Sequence, residues 1–204
     1  MLRNIIQPSV ILIFIFYFMS NIIAENKIDH KIAVLVNDNV ITSYDIIQRL
    51  KLIAIINGNN INIQNNQAML NNIVDELIQE KVKIDKINEY NIKIDEIEYN
   101  EFELNFFKNN NIDRSQILSL LSKNNINYEE LKNLLKYELS WNKLIRGLFL
   151  RLTSVSELEI DEIISKNPDI SPQQAQSLVI KRQLDLQSSK LLRDIMNEAT
   201  IDYK

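Results

Sequence analysis

Three observations predict a mainly α-helical fold with a small β element joining the two ends of the chain. The 204 residues include only two glycines and three prolines, so few turns are forced and long helices are favoured. Apolar residues recur at three and four along most of the length, as they do on one face of an α-helix. Two short runs with strand character, Ile32–Val36 and Ala199–Tyr203, lie at opposite ends and can pair.

Composition narrows the class. With 46% apolar and 25% charged residues the chain is globular in type, and its length allows one domain with a substantial core. The formal net charge is −4 and no basic run occurs, which argues against nucleic acid as a main partner. There is no cysteine, so disulfides, thiolate nucleophiles and Cys-based metal sites are excluded.

The N-terminus reads as a secretory signal. Arg3 supplies a positive start, Val10–Met19 a short unbroken apolar core, and Ser20–Ala24 a small residue at the cut position. The core is about half the roughly 20 residues a membrane span needs. The expected division is a signal peptide over 1–24 and a single domain over 25–204. An uncleaved anchor is the alternative, because Ile22 and Ile23 lengthen the apolar stretch.

The elements follow in order. Ile32–Val36 is a strand, Asn37-Asp38-Asn39 a turn whose residues tolerate left-handed φ, and Val40–Thr42 a second strand. Ser43 is placed to cap a helix over 44–56, with Gly58 as its stop. Asn59–Gln67 is a polar loop. Leu70, Ile73, Val74, Leu77, Ile78 and Val82 then share one face of a helix ending near Tyr90-Asn91. Asp95, with Glu98 as capping partner, opens a helix whose apolar set is Ile97, Phe102, Leu104, Phe106 and Phe107. Asn109–Asn111 stops it. Asp113 caps a short helix with Ile117, Leu118, Leu120 and Leu121. Asn127 opens a long one carrying Leu131, Leu134, Leu135, Leu139, Leu144, Ile145 and Leu148. Ser156 starts another, broken at Asn167-Pro168. Ser171-Pro172 with Gln174 is a strong start for a last helix to about Glu198, whose Leu178, Leu184, Leu191, Leu192, Ile195 and Met196 can face a core.

Catalytic chemistry finds little purchase. His30 is the only histidine, and no Ser-His-Asp arrangement or glycine-rich phosphate loop exists. Asp95, Glu96, Glu98, Glu101 and Glu103 could in principle pair as an acid and a base. They read instead as a solvated face near a helix N-terminus. Glu157–Glu162 lacks the glycine and alternating ligands of a calcium loop and reads as a helix start. No metal site and no cofactor is expected.

Three segments carry a family resemblance. The opening from Ile32 to Asp45, the helix Leu70–Val82 with the start at Ile92–Glu98, and the pair of helices over Leu118–Arg151 resemble, in order and spacing, the N-terminal domain of SurA-type periplasmic chaperones. The likeness covers about 32–162, with 32–164 as the N-terminal core. Pro172–Tyr203 resembles the family's closing helix and strand, so 172–203 is expected to pack back on that core. Such chaperones usually carry parvulin-type prolyl isomerase domains before the last helix. Nothing between Ser165 and Ser171 could hold one, so no enzyme activity is expected.

The resemblance implies an ATP-independent holdase in the periplasm, binding unfolded outer-membrane or envelope proteins. Membrane contact would come only through the signal segment, if uncleaved. Phe102, Phe106, Phe107, Tyr137, Trp141 and Phe149 are the candidate client-binding residues. Each would line a shallow groove if exposed, whereas aromatic residues at helical spacing are more often core. The alternatives are a prolyl isomerase and a membrane-anchored scaffold without client binding.

Overall fold

A computed structural model describes residues 30–58 and 67–204. The expected signal segment and residues 59–66 of the expected loop lie outside the described residues. Gln67, expected to end that loop, is instead the first residue of a helix. The order is β1 (Ile32–Val36), β2 (Asn39–Thr42), α1 (Ser43–Ile56), α2 (Gln67–Glu89), α3 (Glu96–Asn109), α4 (Arg114–Lys123) and α5 (Tyr128–Phe149). A 3-10 turn at Leu150–Leu152 leads to α6 (Glu157–Lys166), α7 (Pro172–Glu198) and β3 (Ile201–Tyr203).

The three strands form one antiparallel sheet in the order β2-β1-β3, so the start and end of the described chain are hydrogen-bonded neighbours. Val34 stands opposite Tyr203 and Val36 opposite Ile201. Val34, Val36 and Ile41 are buried while Val40 is exposed, the alternation that a sheet with one covered face requires. Asn37, at φ 50°, makes the hairpin turn and joins three parts of the molecule. Its side chain donates to Asp85 of α2 at 2.9 Å and accepts from the Thr200 N–H at 3.0 Å, while its own N–H donates to the Thr200 carbonyl at 2.9 Å.

Helix starts follow the local signals. Asp95, Asp113, Asn127, Ser156 and Ser171 each accept a backbone N–H of the first turn. At Asp95, Ser156 and Ser171 the third helical residue closes a reciprocal capping box. One start shifts: Thr42, not Ser43, caps α1, in a box with Asp45. Thr42 keeps the extended backbone of β2 (φ −102°, ψ 162°), which aims its hydroxyl at the Asp45 N–H, whereas Ser43 is already in the helix.

The stops share one chemistry. Asn91, Asn111 and Asn125 each adopt positive φ after α2, α3 and α4. The isoleucine that follows each of them donates its N–H five residues back, to Ile87, Phe107 and Leu121. This arrangement satisfies the last carbonyls and folds an apolar side chain inward. Gly58, at φ 65°, ends α1.

Two apolar cores result. A local core joins Leu52 and Ile55 of α1 with Tyr99, Phe107, Ile117, Leu121, Ile126, Leu131 and Leu135. A closing core joins Val34, Val36 and Ile41 of the sheet with Leu77, Ile78 and Val82 of α2, Trp141, Leu144 and Ile145 of α5, and Leu184 and Ile195 of α7. α5 serves both, its first half one and its second half the other. Between α1 and α2, Arg49 Nη1 lies 2.6 Å from Glu80 Oε2, largely shielded from solvent. The contact is an ion pair. A pair this enclosed fixes how α1 and α2 sit more than it adds net stability.

Candidate functional site

The six aromatic residues are divided between the two cores. Phe102, Phe106 and Phe107 belong to the local one, where the Phe106 and Phe107 rings meet edge to face with centroids 5.4 Å apart. Tyr137, Trp141 and Phe149 belong to the closing one. Phe107 and Trp141 are each 6% exposed, whereas Phe102, Phe106, Tyr137 and Phe149 are half-buried. No single groove gathers all six, because the three on α3 serve the local core and the three on α5 serve the closing one.

Trp141 anchors the junction of α2, α5 and α7. Its indole N–H donates to the Ser188 hydroxyl at 2.9 Å. Lys83 Nζ lies 5.3 Å from the Trp141 ring and 5.8 Å from that of Tyr137. Burial pushes the Lys83 ammonium below its ordinary pKa, against Glu138 and Glu80, which raise it. Burial, with Glu80 and Glu138, pushes the Tyr137 phenol up. Both shifts follow from a stack of charges and rings with little water around it.

The acidic run of α3 is not uniformly a solvated face. Glu96 pairs with Lys136 at 3.1 Å and Glu98 with Lys143 at 2.6 Å, both near solvent. Glu103 is buried. It accepts from the Tyr99 hydroxyl at 3.0 Å, from the Tyr128 hydroxyl, and from Arg114 Nε at 3.3 Å. Tyr99 is held as the neutral phenol, first by burial and then by its bonds to Tyr128 and Glu103. With its oxygens engaged by two phenols and a guanidinium, Glu103 ties α3, α4 and α5 together and offers no free base.

Solvent instead meets aliphatic side chains. Ile97 and Leu104, part of an apolar set on α3 broader than one stripe, are 80% and 67% exposed. The inward face is set by Tyr99, Glu103 and Phe107 with Phe102 and Phe106 beside them, a spacing of three and four that Ile97 and Leu104 do not share. Leu152 and Leu158, around the start of α6, are exposed as well. Leu178 and Leu186 of α7 are 46% and 63% exposed, so Leu178 also turns away from the core expected for it. The inward face of α7 is drawn by Ala175, Val179, Leu184 and Ile195.

His30 is exposed and its ring lies 4.7 Å from that of Tyr44. Among the described residues no cluster of three His, Asp or Glu could hold a metal ion, and no helix is long and apolar enough to cross a membrane.

Comparison with known proteins places this frame. Among solved structures, a chain described with PEB4 and Cj1289, two structurally related SurA-like chaperones of Campylobacter jejuni, is 22% identical, with a TM-score of 0.38. The likeness covers 68% of this chain and 50% of that one, so this chain spans about half the length of that structure. No curated protein matches. The model of the SurA N-terminal domain matches residues 28–145. With more than half of its length so matched, the chain belongs to the SurA N-terminal domain family.

Proposed function

We propose that this protein is an ATP-independent holdase that binds unfolded outer-membrane or envelope polypeptides in the periplasm. The observation that carries this reading is the set of exposed large aliphatic side chains, Ile97, Leu104, Leu158 and Leu186 on helices and Leu152 on the 3-10 turn. Apolar surface of this kind is costly in water and is useful where it meets apolar partners. Membership of the SurA N-terminal domain family agrees with it. Export follows from the N-terminal apolar core Val10–Met19, with residues 1–24 as the signal and 25–204 as one working domain. Within that domain, 32–164 is the chaperone core and 172–203 its closing helix and strand.

Of the six aromatic residues offered for client contact, Phe102, Phe106, Tyr137 and Phe149 can present a ring edge from the folded state. Phe107 and Trp141 would reach a client only after local opening. No isomerase activity belongs to this reading: only residues 167–171 separate α6 from α7, where family members that are isomerases hold a further domain.

The test is suppression of aggregation of a urea-unfolded outer-membrane barrel protein, without ATP, by the purified chain. Suppression at near-stoichiometric amounts is expected. If the chain is folded by circular dichroism and the client still aggregates at an unchanged rate, the holdase reading fails and a membrane-anchored scaffold takes its place.

A further inference from the structure

The outward face of α7 carries a trough of about 350 Å³ lined by Leu178, Lys181, Arg182, Asp185, Leu186 and Ser189. These positions recur at three and four, so one helix face supplies them all. The two leucines mark its apolar ends. Lys181 Nζ is engaged by Asp185 at 2.9 Å. Arg182 makes no hydrogen bond or ion pair among the described residues. Its charge reaches Glu162 of α6, whose carboxyl is held below the usual range first by Lys166. Arg182 therefore stands available between two exposed leucines.

The spacing fits one kind of occupant. Leu178 and Leu186 are eight residues apart, or about 12 Å along a helix. In an extended strand, residues i and i+4 point to the same side and lie about 13 Å apart, with residue i+2 between them on that side. A guanidinium opposite i+2 that makes no hydrogen bond among the described residues is complementary to a carboxylate. We propose that the α7 face binds extended polypeptide segments in which an acidic residue at i+2 lies between apolar residues at i and i+4. This rests on the holdase reading and names the segment class that this surface of the chaperone takes.

The test uses fluorescence anisotropy of the full chain with three labelled peptides. The first is Ser-Leu-Ser-Glu-Ser-Leu-Ser, the second replaces Glu with Lys, and the third replaces both Leu with Ser. The Glu peptide should bind about three- to fivefold more tightly than the Lys peptide, the scale of an exposed ion pair. Removing both leucines from the peptide should weaken binding by about tenfold or more. Arg182→Glu should reverse the order of the two charged peptides. The double variant Leu178→Ser/Leu186→Ser should lose about tenfold with its thermal midpoint unchanged, since both side chains are exposed.

Equal affinity for the Glu and Lys peptides, no measurable binding, or an unchanged order in Arg182→Glu would overturn the proposal. Aggregation suppression by the same proteins separates the two readings. Full suppression by the double variant removes α7 as the client surface and leaves the holdase intact. Peptide binding by a wild-type chain that cannot suppress aggregation removes the holdase reading alone.

Discussion

The core around Tyr99, Phe107, Leu121 and Leu131 draws only on residues between Leu52 and Leu135, whereas the core around Val36 and Trp141 needs Val34, Leu184, Ile195 and Ile201 together. The first is built mainly on α3, α4 and the start of α5, which are linked by turns of a few residues, and takes in one face of α1. The second cannot be complete until β3 has returned to β1 across nearly the whole chain. Closing so long a loop costs conformational entropy before any contact repays it. The local core compensates with a buried polar network, and the closing core with an indole anchor and a hydrogen-bonded turn. The closing core gathers more buried apolar residues than the local one, and the two depend on different kinds of polar interaction.

The largest expected effect tests that difference at Trp141. Trp141→Ala should cost about 3–5 kcal/mol, because it empties a large buried volume and leaves Ser188 without its donor. Hydrogen exchange should then quicken in α2, α7 and the sheet more than in α4. Equal loss of protection in α4 would show that the two cores open as one unit.

The matching disruption of the local core is smaller. Glu103→Ala should cost about 2–3 kcal/mol, since it removes the acceptor of both phenols and of Arg114 and leaves the Tyr99 and Tyr128 hydroxyls only each other inside the core. Urea unfolding of Glu103→Ala set beside Glu103→Gln separates the hydrogen bonds from the charge. If Glu103→Ala costs nothing, the network contributes no stability and the local core is held by packing alone.

At the turn that closes the ends, Asn37→Ala should cost about 1–2 kcal/mol. It forces an alanine into positive φ and removes the side-chain bonds to Asp85 and to the Thr200 N–H. Asn37→Gly removes the same bonds without the strain, and the difference in urea midpoint between the two variants isolates the backbone term. Next in size, Ser171→Ala should cost about 1 kcal/mol by unmaking the capping box of α7.

The smallest effect is a dependence on pH at the α3–α5 surface. The hydrogen bond from Lys143, then the Asp95 backbone, holds the Glu98 carboxyl below its ordinary value of about 4.5. A carboxyl depressed in the folded state stabilises above that ordinary value, and the contribution is lost as pH falls through the depressed one. The thermal midpoint should therefore drop slightly below about pH 4.5. Lys143→Met should flatten that part of the profile. The effect is small because both partners are solvent-exposed.

Much of the fold is legible in the sequence for a local reason. A cap needs a side-chain oxygen two or three residues before its donor, and Asp95, Asp113, Asn127, Ser156 and Ser171 provide one at each predicted start. Thr42 and Ser43 offer the same hydroxyl, and which of them caps α1 depends on where β2 ends. The pairing of β1 with β3 was readable from two β-branched runs at the chain ends. Less of the candidate site was readable. Ile97 and Leu104 look like core residues by composition, and Glu103 looks like one more surface acid. The alternation of Tyr99, Glu103 and Phe107 was a usable signal, yet it placed a carboxylate on the buried side, where hydropathy argues against it.

The sequence by itself determined where α3 to α7 begin and where α2, α3 and α4 end, because caps, asparagine stops and the proline at position 172 act within a few residues of themselves. The tertiary structure alone decided which side of α3 and α7 turns inward and which partners satisfy a buried charge. It also decided which aromatic rings are covered. Those outcomes depend on groups far apart in the chain: Glu103 can be buried because Arg114 and Tyr128 reach it, and Trp141 because α7 returns with Ser188.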